Sequence, residues 1–386
     1  MRAGSAASPT AQQSITTRSR AVTLFLCGDV MTGRGIDQIL PHAGDPRLFE
    51  SYVHSAHDYV ALAERAAGPI PRPVDFAYIW GDALAELDRT RPDARIVNLE
   101  TAVTVSRDPW PGKGVHYRMH PANVACLTIA DLDCCVLANN HVLDWGSGGL
   151  VETLQTLHQA GLSTAGAGHD EREAATPAII ELAQRGRILV FAFGAESSGV
   201  PVAWAATHDR PGVNLLPDLS SRTVAHIAEL VAAHKQSEDL IVMSIHWGSN
   251  WGHSISAAQR DFARSLIDTA GVDIVHGHSA HHVRGIEVHR EKLVLYGCGD
   301  FVTDYEGIRG YESYRPDLGL MYFPRVELKT GRLVHLRMVP TRVHCLRVNR
   351  AGEDEAKWIA KTLMREGRVS ETRIDVLPDN TLAITP

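Results

Sequence analysis

The chain has no excess of positive charge. Its 38 lysines and arginines are outnumbered by 45 acids, for a net charge of −7, and its basic residues are scattered. That gives nucleic acid no footprint. It has no apolar run of about 18 residues, so no membrane-spanning helix is expected. Its first 20 residues lack the roughly 7–15-residue apolar stretch of a secretory signal. Rich in Ser, Thr, Ala and Gln, they read as a disordered leader. No CxxC pair occurs among Cys27, Cys126, Cys134, Cys135, Cys298 and Cys345, most of which sit in apolar runs. They read as reduced core residues, which implies a cytoplasmic setting. Cys134 and Cys135 would point to opposite faces of one strand and not pair. No repeat and no composition break occurs after residue 20, so 21–386 reads as a single domain.

What is present is a globular composition, 44% hydrophobic and 22% charged over 386 residues, and an unusual twenty histidines. Many of them fall in short polar clusters that interrupt apolar runs where strands should end. Gly28-Asp29 follows AVTLFLC, Asn98-Leu99-Glu100 follows ARIV, and Asn139-Asn140-His141 follows CCVLA. Ser244-Ile245-His246-Trp247 follows LIVM, and VDIV leads into a run from His276 to His282. Asp, Glu, Asn and His are metal ligands and proton carriers. Delivering them from the carboxyl ends of neighbouring strands is how an α/β enzyme builds a metal site.

Between the clusters, strand and helix alternate. The pattern predicts a first strand over 21–28, helices over 47–67 and 78–89, and an ordered loop over 105–119. Further strands fall at 133–138, 188–193, 239–245 and 272–276, with helices at 150–160, 220–235 and 256–270. The loop 194–214 is a candidate lid. From about 285 the pieces shorten into hairpins, and a helix at 353–366 and a strand pair close the chain. Alternation giving way to antiparallel strands suggests two packed sheets flanked by helices.

The motifs LCGDVMTGR, IVNLET, YRMHP, VLANNHVLDWG, SIHWGSNW, VHGHSAHHVRGIE and YGCGDFVTDYEGI run from about residue 22 to 310. In order and number they resemble the CapA family of poly-γ-glutamate capsule-synthesis proteins, within the calcineurin-like metallophosphoesterase fold. The resemblance implies an α/β (α+β) four-layer αββα sandwich holding one or two divalent metal ions, with manganese, calcium, zinc or magnesium left open. By this match Asp29, Glu100, Asn140, His246 and His278 correspond to metal ligands and His141 to the proton donor. The sequence also departs from the phosphoesterase pattern. On the first strand Asp29 is followed by Val30 and Met31 where Asp-x-His is usual, and the bridging acid is Glu. Ala280 occupies the second His position of the last motif, and His281 and His282 lie beyond it.

Each residue has a plainer role open to it. Asp29 and Glu100 could cap the segments after them. Asp144 could orient His141 or cap the next helix. Trp247 and Trp251 could wall a pocket or fill the core, and Asp300 and Asp304 could orient an imidazole or cap a turn. The candidate catalytic set is His141, His281, His282 and Asp144. Two reactions fit: phosphoester hydrolysis, and proton transfer at a carbon beside a carbonyl, which is Cα epimerisation of a residue in a peptide. Soluble CapA-like proteins are similar to the tailoring epimerases associated with lasso peptides, which favours the second reading. The partner expected is a peptide or poly-amino-acid substrate, with neither nucleic acid nor membrane and with a homo-oligomer left open. A non-enzymatic scaffold binding a poly-acidic chain is a third reading, against which the negative net charge argues.

Overall fold

A computed structural model describes residues 21–183, 185–366 and 373–386; the leader expected over 1–20 lies outside the described residues. Within them, two large mixed sheets form. In the first, the parallel strands Ala21–Val30, Ala94–Leu99, Cys134–Val136 and Ser163–Ala165 lie side by side. The antiparallel pair Leu318–Glu327 and Leu333–Val343 extends this sheet from the far edge of the first strand. Arg187–Ala195, Leu240–His246, Ile274–His278 and Lys292–Leu295 make the parallel centre of the second sheet. The hairpin expected after residue 285 is present, Ile286–His289 pairing with Lys292–Leu295.

Side-chain alternation sorts the first strand between layers. Val22, Leu24 and Leu26 enter a core shared with Ile188, Val190 and Val242 of the second sheet. Phe25 and Cys27 enter a second core with Ile36, Val60, Leu87 and Leu154, which lie on helices. A third core joins Phe191, Met243 and Val275 to the helices Ser221–His234 and Ala257–Thr269. The order is therefore helices, sheet, sheet, helices, and each buried apolar side chain contributes roughly 1.5–3 kcal/mol. Cys134 and Cys135 do face different cores, and all six cysteines are free thiols.

Boundaries differ most near residue 50. The helix begins at Ala56, not 47, because the Ser55 side chain accepts from the His57 N–H and so caps it. The preceding segment instead packs Leu48 and Val53 against Tyr59. The loop 194–214 is also less free than a lid would be. Val200 and Trp204 are buried, and the Ser198 hydroxyl donates to the carbonyl of His246 at 2.9 Å.

Candidate metal centre

The carboxyl ends of both parallel strand sets meet along one edge. In the first sheet Asp300, Asp29 and Asn98 stand in register across three parallel strands. Gly28 permits this, since a side chain there would run into the carbonyl of Gly299, whose oxygen takes the Asp29 N–H at 2.9 Å. Asn98 donates to Asp29 Oδ1 at 2.7 Å, and Asn139 donates to Asn98 at 3.0 Å. These amides fix the row of acids without neutralising it. Glu100 lies two residues past Asn98, and His246 and His278 end adjacent strands of the second sheet in register.

All five expected ligands come together. Asn140 Oδ1 lies 3.1 Å from His246 Nε2, and Glu100 Oε1 lies 3.7 Å from the same nitrogen. His246 and His278 face each other through Nδ1 at 2.7 Å, and His278 Nδ1 is 4.0 Å from Asp29 Oδ1. Asp29, His246 and His278 offer ligand atoms within 4.8 Å of one another, as do Asp29, His281 and Asp300.

Proton positions are set by one backbone carbonyl. The oxygen of Cys27 can only accept, so His276 Nε2, at 2.8 Å, must donate to it. Burial holds His276 neutral, its pKa pushed down to about 4, so its Nδ1 accepts from the Ser244 hydroxyl at 3.1 Å. Ser244 then accepts from His278 Nε2 at 2.9 Å. Burial keeps His278 and His246 neutral as well. His278 Nδ1 is thus a bare lone pair, to which His246 Nδ1 donates. That leaves His246 Nε2 bare, facing the Asn140 oxygen and the Glu100 carboxylate.

The meeting point is therefore lined by the Asn140 oxygen, the bare His246 Nε2 and the carboxyl groups of Glu100 and Asp29. Glu100 Oε2 and Asp300 Oδ2 are buried without a hydrogen-bond partner. Burial, and then the charge of Asp300, raises the Asp29 carboxyl to about 6. Burial, and then Asp29, raises Glu100 well above the carboxylate range. Buried oxygen and imidazole acceptors around uncompensated acids are a donor set that fits a divalent cation.

Two imidazole–carboxylate pairs flank this row. At one end His141 Nδ1 lies 2.7 Å from Asp144 Oδ2, so Asp144 orients the ring; it does not cap the following helix, Gly146–Gln159, whose N-cap position is Trp145 and has no side-chain cap. Lys113 donates to Asp144 and sits 3.0 Å from His141 Nδ1. At the other end His281 Nδ1 lies 2.8 Å from Asp300 Oδ1. The two rings titrate in opposite directions. Burial, then the charges of Lys113 and Arg34, pushes His141 well down. Burial also pulls on His281, but Asp300 and Asp29 outweigh it and raise its pKa.

His282 is placed differently. Its neighbour His281 turns to Asp300, while His282 stacks on Tyr314 with ring centres 4.8 Å apart and lies near Trp251. Burial, then His253, lowers it to about 3. It faces an aromatic cluster and not the row of acids. Asp304 binds Arg34 through two hydrogen bonds, 3.1 and 2.6 Å, in place of an imidazole. Trp247 is a core residue, whereas Trp251 lies against His281. The sequence reading missed Lys113, Arg34 and Tyr117, whose ring meets that of His141 at 4.3 Å.

The model of the bacterial capsule synthesis protein family, PGA_cap, matches residues 23–305. The chain belongs to this family. It is 47% identical over 366 residues to a probable polyglutamine synthesis accessory protein of Mycobacterium tuberculosis, covering 95% of this chain and 96% of the relative. The PGA biosynthesis protein CapA of Bacillus subtilis is 27% identical over 340 residues, covering 88% and 76%. The capsule biosynthesis protein CapA of Bacillus anthracis is 24% identical over 293 residues, covering 76% and 62%. The CapA resemblance read from the motifs is thereby borne out. Among the described residues no helix is long and apolar enough to cross a membrane.

Proposed function

We propose that this protein is a metal-dependent acid/base enzyme of metallophosphoesterase-like fold that acts on a peptide or poly-amino-acid chain, and that its reaction is Cα epimerisation. The relatives' names place them in polyglutamine and PGA synthesis, which supports a poly-amino-acid setting. The observation that carries the reading is the pair of imidazoles at opposite ends of one row of acids, with pKa values driven apart. A site that must remove a proton from one face of a carbon and return one to the other needs such a pair.

Asp29, Glu100, Asn140, His246 and His278 would hold the cation, with Asp300 beside Asp29. When bound, it would stabilise negative charge developing on the substrate carbonyl oxygen. The remaining work belongs to the chain. Asp144 accepts from His141 Nδ1 and leaves Nε2 as a base at neutral pH. His141 takes the Cα proton, and the electron pair stays on the substrate. His281, kept protonated by Asp300, returns a proton to the opposite face. The two rings exchange roles in the reverse direction, so the reaction is balanced without another reagent.

Incubating a glutamate-containing peptide with the protein and manganese in D2O should place deuterium at Cα in both product and recovered substrate. His141→Ala should slow that exchange by about 10²–10⁴-fold, the usual contribution of a general base. Metal-dependent phosphate release from a model ester, with no deuterium at any Cα, would replace this reading with hydrolysis.

A further inference from the structure

Two tyrosines connect the paired imidazoles. The Tyr117 ring meets His141 edge-on at 4.3 Å between centres, and the Tyr305 ring meets His281 edge-on at 5.1 Å. Their hydroxyls touch, Tyr117 Oη donating to Tyr305 Oη at 2.8 Å across 188 positions of sequence. Tyr117 is fully buried and gives its backbone N–H to Asp144, the carboxylate that orients His141. Arg34, fixed by Asp304 and Glu50, lies 4.3 Å over the Tyr117 ring and 5.6 Å over that of Tyr305.

A hydroxyl has one proton to donate, and Tyr117 directs its own at Tyr305. The Tyr305 proton has no acceptor among the described residues; Glu100 Oε2 and Asp300 Oδ2, whose charges act on this phenol, are themselves without a hydrogen-bond partner. Burial raises the phenol well above its ordinary value, so the proton stays on it. Tyr305 is also partly exposed, so a substrate can reach it where it cannot reach Tyr117. A phenol that accepts one hydrogen bond donates the next more strongly. Its place between the imidazoles matters as well. When a proton leaves Cα, base and acid stand above and below a planar anion, and the oxygen lies in that plane. A hydroxyl pair running from the neighbour of one imidazole to the neighbour of the other crosses the plane, where the carbonyl oxygen is the backbone group that accepts.

We infer that Tyr305 donates a hydrogen bond to the substrate oxygen that becomes negative as the Cα proton leaves, and that Tyr117 is the positioning residue behind it. The inference rests on the reading of proton transfer at Cα and adds a catalytic residue to it. The hydrogen bond strengthens as charge develops, so its effect falls on the transition state more than on substrate binding. No bond to the phenol proton breaks.

The test compares the full wild-type chain with Tyr305→Phe and Tyr117→Phe in manganese. Cα exchange of a peptide in D2O gives the rate. Tyr305→Phe should lower kcat about 10²–10³-fold, the range for one lost oxyanion donor, with KM changed by less than about threefold. Tyr117→Phe keeps the donor but frees it, and should slow exchange about three- to tenfold, the range for one neutral hydrogen bond. Calorimetry with N-acetylalanine hydroxamate, whose anion is planar, reads the same contact without turnover. Tyr305→Phe should bind it about ten- to hundredfold more weakly, the range for a lost hydrogen bond to a charged acceptor, while its manganese affinity stays that of the wild type. An unchanged kcat or an unchanged hydroxamate affinity in Tyr305→Phe would overturn the donor. Manganese affinity falling in step with kcat would overturn it too, since the hydroxyl would then be building the metal centre. A wild type without Cα exchange, whose hydroxamate affinity still falls in Tyr305→Phe, removes the epimerase reading and leaves the donor; exchange that Tyr305→Phe does not slow does the reverse.

Discussion

Replacing Asp29 by Asn should stabilise the metal-free protein at neutral pH and abolish most of its response to a divalent cation. Asp29 is fully buried, and its carboxyl is raised from 3.8 to about 6, first by burial and then by Asp300. A shift of about two pK units is worth ~3 kcal/mol. Because the folded pKa lies above the unfolded one, this contribution is fully present below about pH 4 and is lost as pH rises through about 6. At pH 7 ionisation of Asp29 thus leaves the metal-free fold ~3 kcal/mol less stable than it would be with a neutral group there. Asparagine removes the charge and keeps Oδ1 as the acceptor for Asn98. It gives up the long 3.3 Å contact from the Ser279 N–H, a loss of ~1 kcal/mol. Urea unfolding in EDTA should therefore show the variant ~2 kcal/mol more stable at pH 7 and ~1 kcal/mol less stable at pH 4. Saturating manganese should stabilise the wild-type chain by ~3 kcal/mol at a hundred times its dissociation constant, and the variant by far less. If the variant is destabilised at pH 7 in EDTA, or if both proteins respond equally to manganese, the reasoning about uncompensated acids is refuted.

Ser244→Ala removes the hydroxyl that links His276 to His278 and so frees the His278 tautomer; manganese affinity measured by calorimetry should fall about 10–100-fold, and an unchanged affinity would show that the tautomer is set elsewhere. Arg34→Met strips the counter-charge from buried Asp304 and Glu50. Chemical unfolding should report a loss of about 3–5 kcal/mol, and a loss under about 1 kcal/mol would mean that these acids are satisfied without it.

The strands and the acids at their ends were legible because both obey short-range rules. Period-two alternation marked the first strand, and polar residues directly after an apolar run marked where it emptied into a site. The five expected ligands meet for that reason. Lys113 and Tyr117 were not legible, because the loop 105–119 contributes by where it folds back, and nothing local in Pro-Gly-Lys-Gly sets that. His281 and His282 show the limit most sharply. They are adjacent and chemically identical, yet one turns to Asp300 and the other to Tyr314. Ser279, at φ 98°, is the non-glycine residue in the left-handed region that redirects the chain just before them. A single backbone angle of that kind has no signature in composition or spacing.

The acids and histidines of the centre are separated in the chain by about 270 residues, from Asp29 to Asp300. At a synthesis rate of about 5–20 residues per second, roughly 15–55 s pass between the appearance of the first and the last of them. For most of that interval the growing chain holds Asp29 and Glu100 without His246 and His278, which face them. The centre is thus a late checkpoint of biogenesis. Fragments ending before Ile274 lack His278 and Asp300 and should have little claim on a cation.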